Sequence, residues 1–535
     1  MEDVPQFSAS HSRTQSYTPA SGTDSPKHAI LSPALDQGAP RLTDPDLVLQ
    51  PDPATFIVQS AKKSAPLHTS SLAMPANTNG NDQKPRGRFI VVGAGYAGLA
   101  TAIELRRKGF EVQVVEAAKN MTTQGDIIQV GSNATRVMSH WGNVLEQAVA
   151  ESAQPKDMKM FDKTGRVLLH APLPTEFSGF PVLYSNRGLL QRLILEYARS
   201  IGVEFRFGER VREYFEEKDG AGIVIGDERI KADGVVAADG IHSLARKHVI
   251  GIQQHPRTSG FAVYRTCFPL DLLADDPLTK PLTELKEDMF RVWLDTDVHA
   301  ILFILAKVRQ VVIFCTHKDT YEVEESWTNP GDLDDMLKIS KGWDPVIVAA
   351  MKAVPRDKLI DWKLLWRDPI RQWVSSTGRI TLVGDAAHPH LPTSGQGAAQ
   401  AFEDAGTIGA LVDKLGVEEI STAFKAFEKL RYERTSLTQR MGWETRHRWH
   451  QTDWDMVAAN PEFLKMPQPM WLYDFDAEQY AYDRLDEVVD SVKNGTPFVS
   501  KNLPEGHVHE DWTVEMMMDL EKEQAKEHFY RVANK

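Results

Sequence analysis

The sequence predicts an α/β fold: a parallel sheet with its helices, an antiparallel sheet inserted into it, and a C-terminal helical extension. Three observations carry this prediction. Residues 88–116 read as strand, glycine turn, helix and strand. Two later apolar strands run into Asp239-Gly240 and Gly384-Asp385. Between those strands, residues 255–330 alternate apolar and polar in places, as around Arg291 to Leu294, and carry apolar runs such as Val311 to Cys315, which suits an antiparallel sheet.

In the first unit, Phe89 to Val92 form a short apolar run that suits a buried parallel strand. Gly93, Gly95 and Gly98 then give G-x-G-x-x-G. The first glycine allows the turn, the second lets a pyrophosphate approach the backbone, and the third lets the helix pack close to the sheet. The helix carries Leu99, Ala100, Ile103 and Leu105 toward the sheet, and Gly109 ends it as a C′ residue. Val112, Val114 and Val115 make the second strand, with Glu116 at its end placed to accept hydrogen bonds from ribose hydroxyls. The helix N-terminus offers unpaired N–H groups and a positive dipole end to phosphates. The unit reads as a dinucleotide site, and this stretch alone leaves FAD and NAD both open.

Composition narrows the function. A chain of 535 residues can build a large core, and a net charge of −13 argues against nucleic acid as a partner. Cys267 and Cys315 are its two cysteines, both in apolar strand-like runs. Buried thiols in a reducing compartment are expected, with no disulfide and no metal site. The best transmembrane candidate, Val298 to Cys315, is broken by Lys307 and Arg309 and reads as two strands with a turn. The N-terminus lacks a basic and then apolar leader pattern, and a cytoplasmic location is expected.

Taken in order, residues 1–87 are rich in Ser, Thr, Pro, Ala, Asn and Gln without period, and are expected to be a disordered tail. After the first unit come a glycine loop at Gly125 and Asp126, a short strand, and a helix that Ser132 or Asn133 is placed to cap. Strands follow around the turn 162–165, then an amphipathic helix opening with Ser185 and Arg187, and a strand from Val203 to Phe207. Asp332 to Val354 is helical with a break between Gly342 and Pro345. Ile380 to Val383 is a strand leading into Gly384-Asp385, a Pro-rich loop, and a small-residue helix opened by Gly395 and Gly397. Asp385 leaves that strand end as an acceptor for polyol hydroxyls, and the N–H groups at Gly395 to Ala398 suit the electron-rich edge of a flavin. The expected boundaries are a cofactor domain at 88–254 and 365–440, a substrate-binding sheet at 255–364 and the extension at 441–535.

Together, the glycine motif at Gly93 to Gly98, Asp239-Gly240 and Gly384-Asp385, in this order, resemble the group A flavin monooxygenases. These are the single-component aromatic hydroxylases of the para-hydroxybenzoate and salicylate hydroxylase type, and the resemblance is to members of the fungal secondary-metabolism type. The lead-in Trp366 to Pro369, then Trp373, fits as well. The resemblance covers roughly residues 86–450. It implies a Rossmann-like FAD-binding domain, FAD as cofactor, NAD(P)H as co-substrate bound transiently, and O2 as oxidant. One oxygen atom would reach an aromatic or phenolic substrate through a flavin C4a-hydroperoxide. By the same resemblance Glu116 would hold the adenosine ribose, Arg187 would contact FAD, Asp385 would bind the ribityl chain, and Gly397-Ala398 would face the isoalloxazine. Asp239 and Arg246 would belong to the motif linked to both FAD and NAD(P)H. Pro392 would sit near C4a, and Tyr264 matches a tyrosine some relatives use near the substrate, so Tyr264, Arg246 and Pro392 are the catalytic-site candidates. Gly125 to Gln129 departs from the usual Gly-Ala-Gly-Ile-Gln, with Asp126 the unexpected residue. His388 and His390 are candidate bases by type, and His388 matches the family's structural histidine.

Two rival readings stay open: an epoxidase of an alkene or indole on the same scaffold, and a non-oxygenating FAD reductase or non-catalytic binding module. In residues 440–535, Trp443, Trp449, Trp454, Trp471 and Trp512 fit either packing over the FAD domain, the favoured reading, or a lid or homodimer contact.

Overall fold

A computed structural model describes residues 85–121, 126–251, 256–319, 329–450 and 454–523, all within the compact unit Asn81–Lys535. The expected tail therefore lies outside the described residues except for 85–87, and so does Gly125.

The hydrophobic runs at strand ends build a five-stranded parallel sheet in the order Ile380–Leu382, Gly234–Ala237, Arg88–Val92, Glu111–Glu116, Glu204–Phe207. The strands Ile380–Leu382, Gly234–Ala237 and Arg88–Val92 are buried on both faces, as apolar runs without alternation require. The helix Tyr96–Arg107 packs against the helices Arg187–Ser200 and Gly397–Leu415, while a three-stranded antiparallel meander over 211–232 packs on Arg88–Val92 and Gly234–Ala237. This order places the glycine turn, Asp239-Gly240 and Gly384-Asp385 at the C-terminal ends of three adjacent strands, where doubly wound sheets bind ligands.

The second sheet has seven strands in the order Ile360–Trp366, Arg257–Pro269, Gln310–Lys318, Val298–Leu305, Met289–Asp295, Asp157–Asp162, Val167–Pro172. Residues 298–318 form two strands and a turn, as their two charges suggested. The sheet differs from expectation in one respect. Its last two strands come from before residue 255, as a hairpin docking parallel on Met289–Asp295, so the sheet is mixed and is not confined to 255–364. The pairing Phe290–Met158 spans more than a hundred residues, and such edge pairing leaves no local trace in sequence.

The helix expected to be capped by Ser132 or Asn133 starts at Ser132 with Gly131 as its N-cap and no side-chain cap. Ser132 Oγ donates instead to the Tyr473 carbonyl at 2.5 Å, and the Asn133 amide to Glu403 at 2.6 Å. The break between Gly342 and Pro345 separates helices Leu333–Ile339 and Pro345–Lys352. A 31-residue helix, Ile420–His450, runs unbroken through the expected boundary at 440/441. Beyond it, Leu464, Leu472, Tyr473, Trp512 and Met517 are buried against the rest of the unit. Among the described residues no helix is long and apolar enough to cross a membrane.

Candidate cofactor and active site

Each motif glycine has its own steric reason. Gly93 has φ +105°, and a Cβ there would stand 2.3 Å from the Ala238 carbonyl oxygen. A Cβ on Gly98 would stand 1.9 Å from the Gly93 oxygen, so the helix could not lie where it does. Gly95 is exposed, with nothing within 4 Å of the Cβ position, at a helix N-terminus that no side chain caps. Two glycines thus close the turn and the third leaves the N–H groups open to an anion. Glu116 is drawn onto the turn, accepting from Ala94 N at 2.8 Å and Ala118 N at 2.7 Å. Gln191 Nε2 donates to Ala94 O at 2.8 Å and Tyr96 Oη to Arg187 O at 2.7 Å, which brings the start of helix Arg187–Ser200 to the same place.

The two Asp/Gly motifs are tied together by Arg246. Asp239 Oδ2 accepts from Leu244 N at 2.9 Å, Ala245 N at 3.3 Å and Tyr214 Oη at 3.0 Å, so it holds the short helix Ala245–Ile250 in place, and burial raises its carboxyl pKa. From that helix the buried Arg246 donates to the carbonyls of Ala386 at 3.0 Å and Ala387 at 3.3 Å. Burial, reinforced by Arg367, lowers its pKa to about 10. Gly384, at φ +56°, lies against helix Tyr96–Arg107, where a Cβ would come within 2.6 Å of Ala97 Cβ. Asp404 Oδ2 accepts from Gly384 N at 3.0 Å and from His388 Nε2 at 2.7 Å, which makes His388 a structural link. His390 pairs with Thr438 Oγ1 at 2.9 Å, and burial holds its pKa near 3. Asp385 itself is exposed.

Beyond Asp385, Pro392 is exposed at the start of a single 3-10 turn, Pro392–Ser394, followed by Gly395 at φ +61°. The 19-residue helix Gly397–Leu415 begins there with no side-chain cap, so its N–H groups at Gly397 and Ala398 stay available. A Cβ on Gly395 would stand 2.7 Å from Gln129 Oε1, which sets the strand Ile127–Val130 directly beside this turn.

Asp126, unexpected in the motif, has a clear structural partner set. Its carbonyl accepts from Arg187 N at 2.8 Å, Oδ1 from Arg187 Nε at 3.3 Å, and Oδ2 from Arg265 Nη1 at 3.0 Å. Arg265 comes from the seven-stranded sheet and lies over the Trp362 ring at 4.1 Å. The buried carboxylate thus joins the cofactor sheet's surroundings to the second sheet. Burial, with Asp126 second, also pushes the nearby Cys267 thiol up to about 12.

Tyr264 precedes Arg265 in the same strand and therefore faces the other way. Only 1% exposed, it donates to Asp335 Oδ2 at 3.0 Å and stacks on His317 at 4.3 Å, in the cluster under helices Leu333–Ile339 and Pro345–Lys352. It faces those helices and not the loops around Gly395. Arg265 and Trp362 carry no motif in the sequence, and only the strand's alternation sets Arg265 on the face opposite Tyr264. The glycine cradle, the bare helix N-termini and the carboxylates at two strand ends fit FAD.

The chain matches the family model described as an FAD binding domain over residues 88–416. It is 34% identical to the asperlicin C monooxygenase of Petromyces alliaceus, over 76% of this chain and 90% of that one. It is 32% identical to the FAD-dependent monooxygenase nodY2 of Hypoxylon pulicicidum, over 78% of this chain and 95% of that one. Among solved structures, CtdE in complex with FAD and its substrate 4 superposes with a TM-score of 0.72 at 31% identity, covering 76% of this chain and 99% of that one. The chain belongs to the FAD-dependent monooxygenases.

Proposed function

We propose that this enzyme inserts one atom of O2 into an electron-rich aromatic substrate, with NAD(P)H as reductant. Bound FAD supplies the redox chemistry: it accepts a hydride and activates O2 for transfer of one oxygen. In this reading Glu116 holds the adenosine ribose, Gly93 to Gly98 and Arg187 take the pyrophosphate, Asp385 takes the ribityl hydroxyls, and the N–H groups of Gly397 and Ala398 address the flavin edge. Asp126 is assigned to FAD as well, and so is Gly125, which lies outside the described residues. Asp239 and Arg246 hold the loop after Asp385, and Pro392 borders the reacting centre. Tyr264 serves the core of the second sheet.

The observation that carries the aromatic reading is the side of the second sheet that bears Arg265. There Val263, Leu364 and Trp366 pack with Leu391 of the cofactor loop and with Trp443, the Trp366 and Trp443 rings stacked at 4.4 Å. Phe314 and Trp362 join the same cluster. The cluster is closed by Trp512, and its partly buried edge, Phe314 and Trp362, is the aromatic wall that would exclude water and favour a flat ring. The Asp126–Arg265 pair is a charged feature next to it, able to meet a phenol or amide. The same wall with Trp362 suits a fused bicyclic ring such as an indole, so epoxidation of its double bond is the second reading.

The test is turnover under labelled O2 with a panel of phenols and indoles. Substrate-stimulated NAD(P)H oxidation and one labelled oxygen per product are expected, and the product's NMR spectrum separates a ring hydroxyl from an epoxide. NAD(P)H oxidation indifferent to every aromatic, with no label in any product, would remove the proposal.

A further inference from the structure

We infer that Tyr473, which lies beyond the residues matched by the family model, is a positioning residue for the flavin-side turn. The inference rests on assigning Gly395 to Ala398 to the flavin. Tyr473 is 1% exposed; its hydroxyl accepts from Gln129 Nε2 at 2.9 Å and also interacts with the side chains of Gln396, in the turn itself, and Gln468. The other end of that amide, Gln129 Oε1, lies 2.7 Å from where a Cβ on Gly395 would stand. One side chain therefore bridges the C-terminal extension to the turn that opens helix Gly397–Leu415. A glutamine with its amide nitrogen fixed has its oxygen fixed too, because the planar amide offers two opposed ends.

Tyr473 can act as a fixed post because its segment is held from several sides. Arg434, on the long helix, donates to the carbonyls of Trp471 at 3.1 Å and Leu472 at 3.0 Å. Ser132 donates to the Tyr473 carbonyl at 2.5 Å and Arg136 to Asp474 Oδ1 at 2.5 Å. The ring stacks on Phe177 at 5.0 Å. None of these contacts uses the phenolic hydroxyl. Arg434 also binds Glu403; Arg431 binds Glu403 too and reaches Asp404, the residue that holds Gly384 and His388. The same extension thus grips both ends of the cofactor loop, through Tyr473 and Gln129 at one end and through a buried chain of charges at the other.

Replacing Tyr473 by Phe removes the hydroxyl and leaves the stacking and the main-chain anchors in place. The experiment uses the full chain and measures the FAD dissociation constant and the flavin absorption spectrum for Tyr473→Phe, Gln129→Leu, their double variant and Gly395→Ala. One neutral hydrogen bond corresponds to a rise of about threefold to tenfold in that constant. The inference expects this rise with a shifted flavin band in each of the first two variants, and a double variant no worse than the weaker-binding single. A parental constant and spectrum in Tyr473→Phe, or single effects that add in the double, overturn it. Gly395→Ala separates the two failures. If it leaves FAD binding and the spectrum unchanged, the assignment of this turn to the flavin is wrong. If it perturbs both while Tyr473→Phe does not, only the role of Tyr473 is wrong.

Discussion

Glu116 shows how far one side chain can be followed from sequence. Its position after the strand of Val112, Val114 and Val115 suggested a ribose acceptor, and its carboxylate closes on the glycine turn through Ala94 N and Ala118 N. We expect Glu116→Ala and Asp385→Ala each to remove a charge-assisted hydrogen bond to FAD, a loss of about 1.5–3 kcal/mol, or roughly tenfold to a hundredfold in affinity. Flavin retained after dilution and gel filtration measures this, and variants as yellow as the parent would show that these carboxylates do not hold the cofactor. The glycines were legible for the same local reason: what a Cβ would strike at Gly98 is the Gly93 oxygen, five residues back. Asp126 was visible as an anomaly but not as a pair, because its partner Arg265 lies 139 residues away. Tyr264 was legible as a strand residue, but which face of that strand meets the cofactor depends on partners that the strand does not encode.

Secondary structure elements repeat the pattern on a larger length. Breaks and turns were readable wherever Gly, Pro or a charge interrupts an apolar period, as between Gly342 and Pro345 or around Lys307 and Arg309. Docking was not. The hairpin 157–172 joins the second sheet by an edge pairing, and the Ser132 hydroxyl, instead of capping its helix, binds a carbonyl 341 residues away. The long helix Ile420–His450 carries the consequence. Its Arg431 and Arg434 are buried with Glu403 and Asp404, and Arg434 donates onward to carbonyls of Trp471, Leu472 and Asn502. Its Trp443 packs with Trp512, and its Ser436 carbonyl accepts from Trp512 Nε1 at 3.2 Å. A chain cut after His450 would uncover these groups and lose Leu472, Tyr473, Trp512 and Met517 from the core. At about 1.5–3 kcal/mol for each large apolar side chain, the loss approaches the whole stability of a domain. The fragment is expected to precipitate and to carry no flavin. A soluble, flavin-bound, active fragment ending at His450 would show that the extension only covers the surface.

Across the molecule, the buried ionisable groups set how stability responds to acid. His299 and His450 meet at 2.7 Å between the second sheet and the end of the long helix, flanked by Thr316, Phe261 and Trp449. Burial lowers the His299 pKa from 6.5 to about 3, and burial followed by His299 lowers that of His450 well below its usual value. His390 is near 3 as well, chiefly by burial. Between 6.5 and 3 the unfolded chain binds protons that the folded chain refuses, so stability falls as pH drops below 6.5 and that fall is complete near 3. Glu216 and Glu478 act with the same sign at lower pH. Burial opposes their ionisation, but hydrogen bonds from His248 and Ser375 to Glu216, and from His140 and Lys108 to Glu478, hold both near 2. Their contribution is full above about 4.5 and is lost as pH falls toward 2. Glu104, Glu428 and Glu444, raised by burial, work in the opposite direction above 4.5, so the histidine effect is read as the difference between the parent's slope and the variant's. His299→Gln keeps a polar side chain but cannot take up a proton. We expect it to flatten the dependence of unfolding free energy on pH between 6.5 and 5, by up to one proton's slope of about 1.4 kcal/mol per pH unit. The absolute stability of the variant does not enter, since only the slope is compared. Denaturant unfolding at a series of pH values measures it, and a variant slope equal to that of the parent would remove His299 from the acid response.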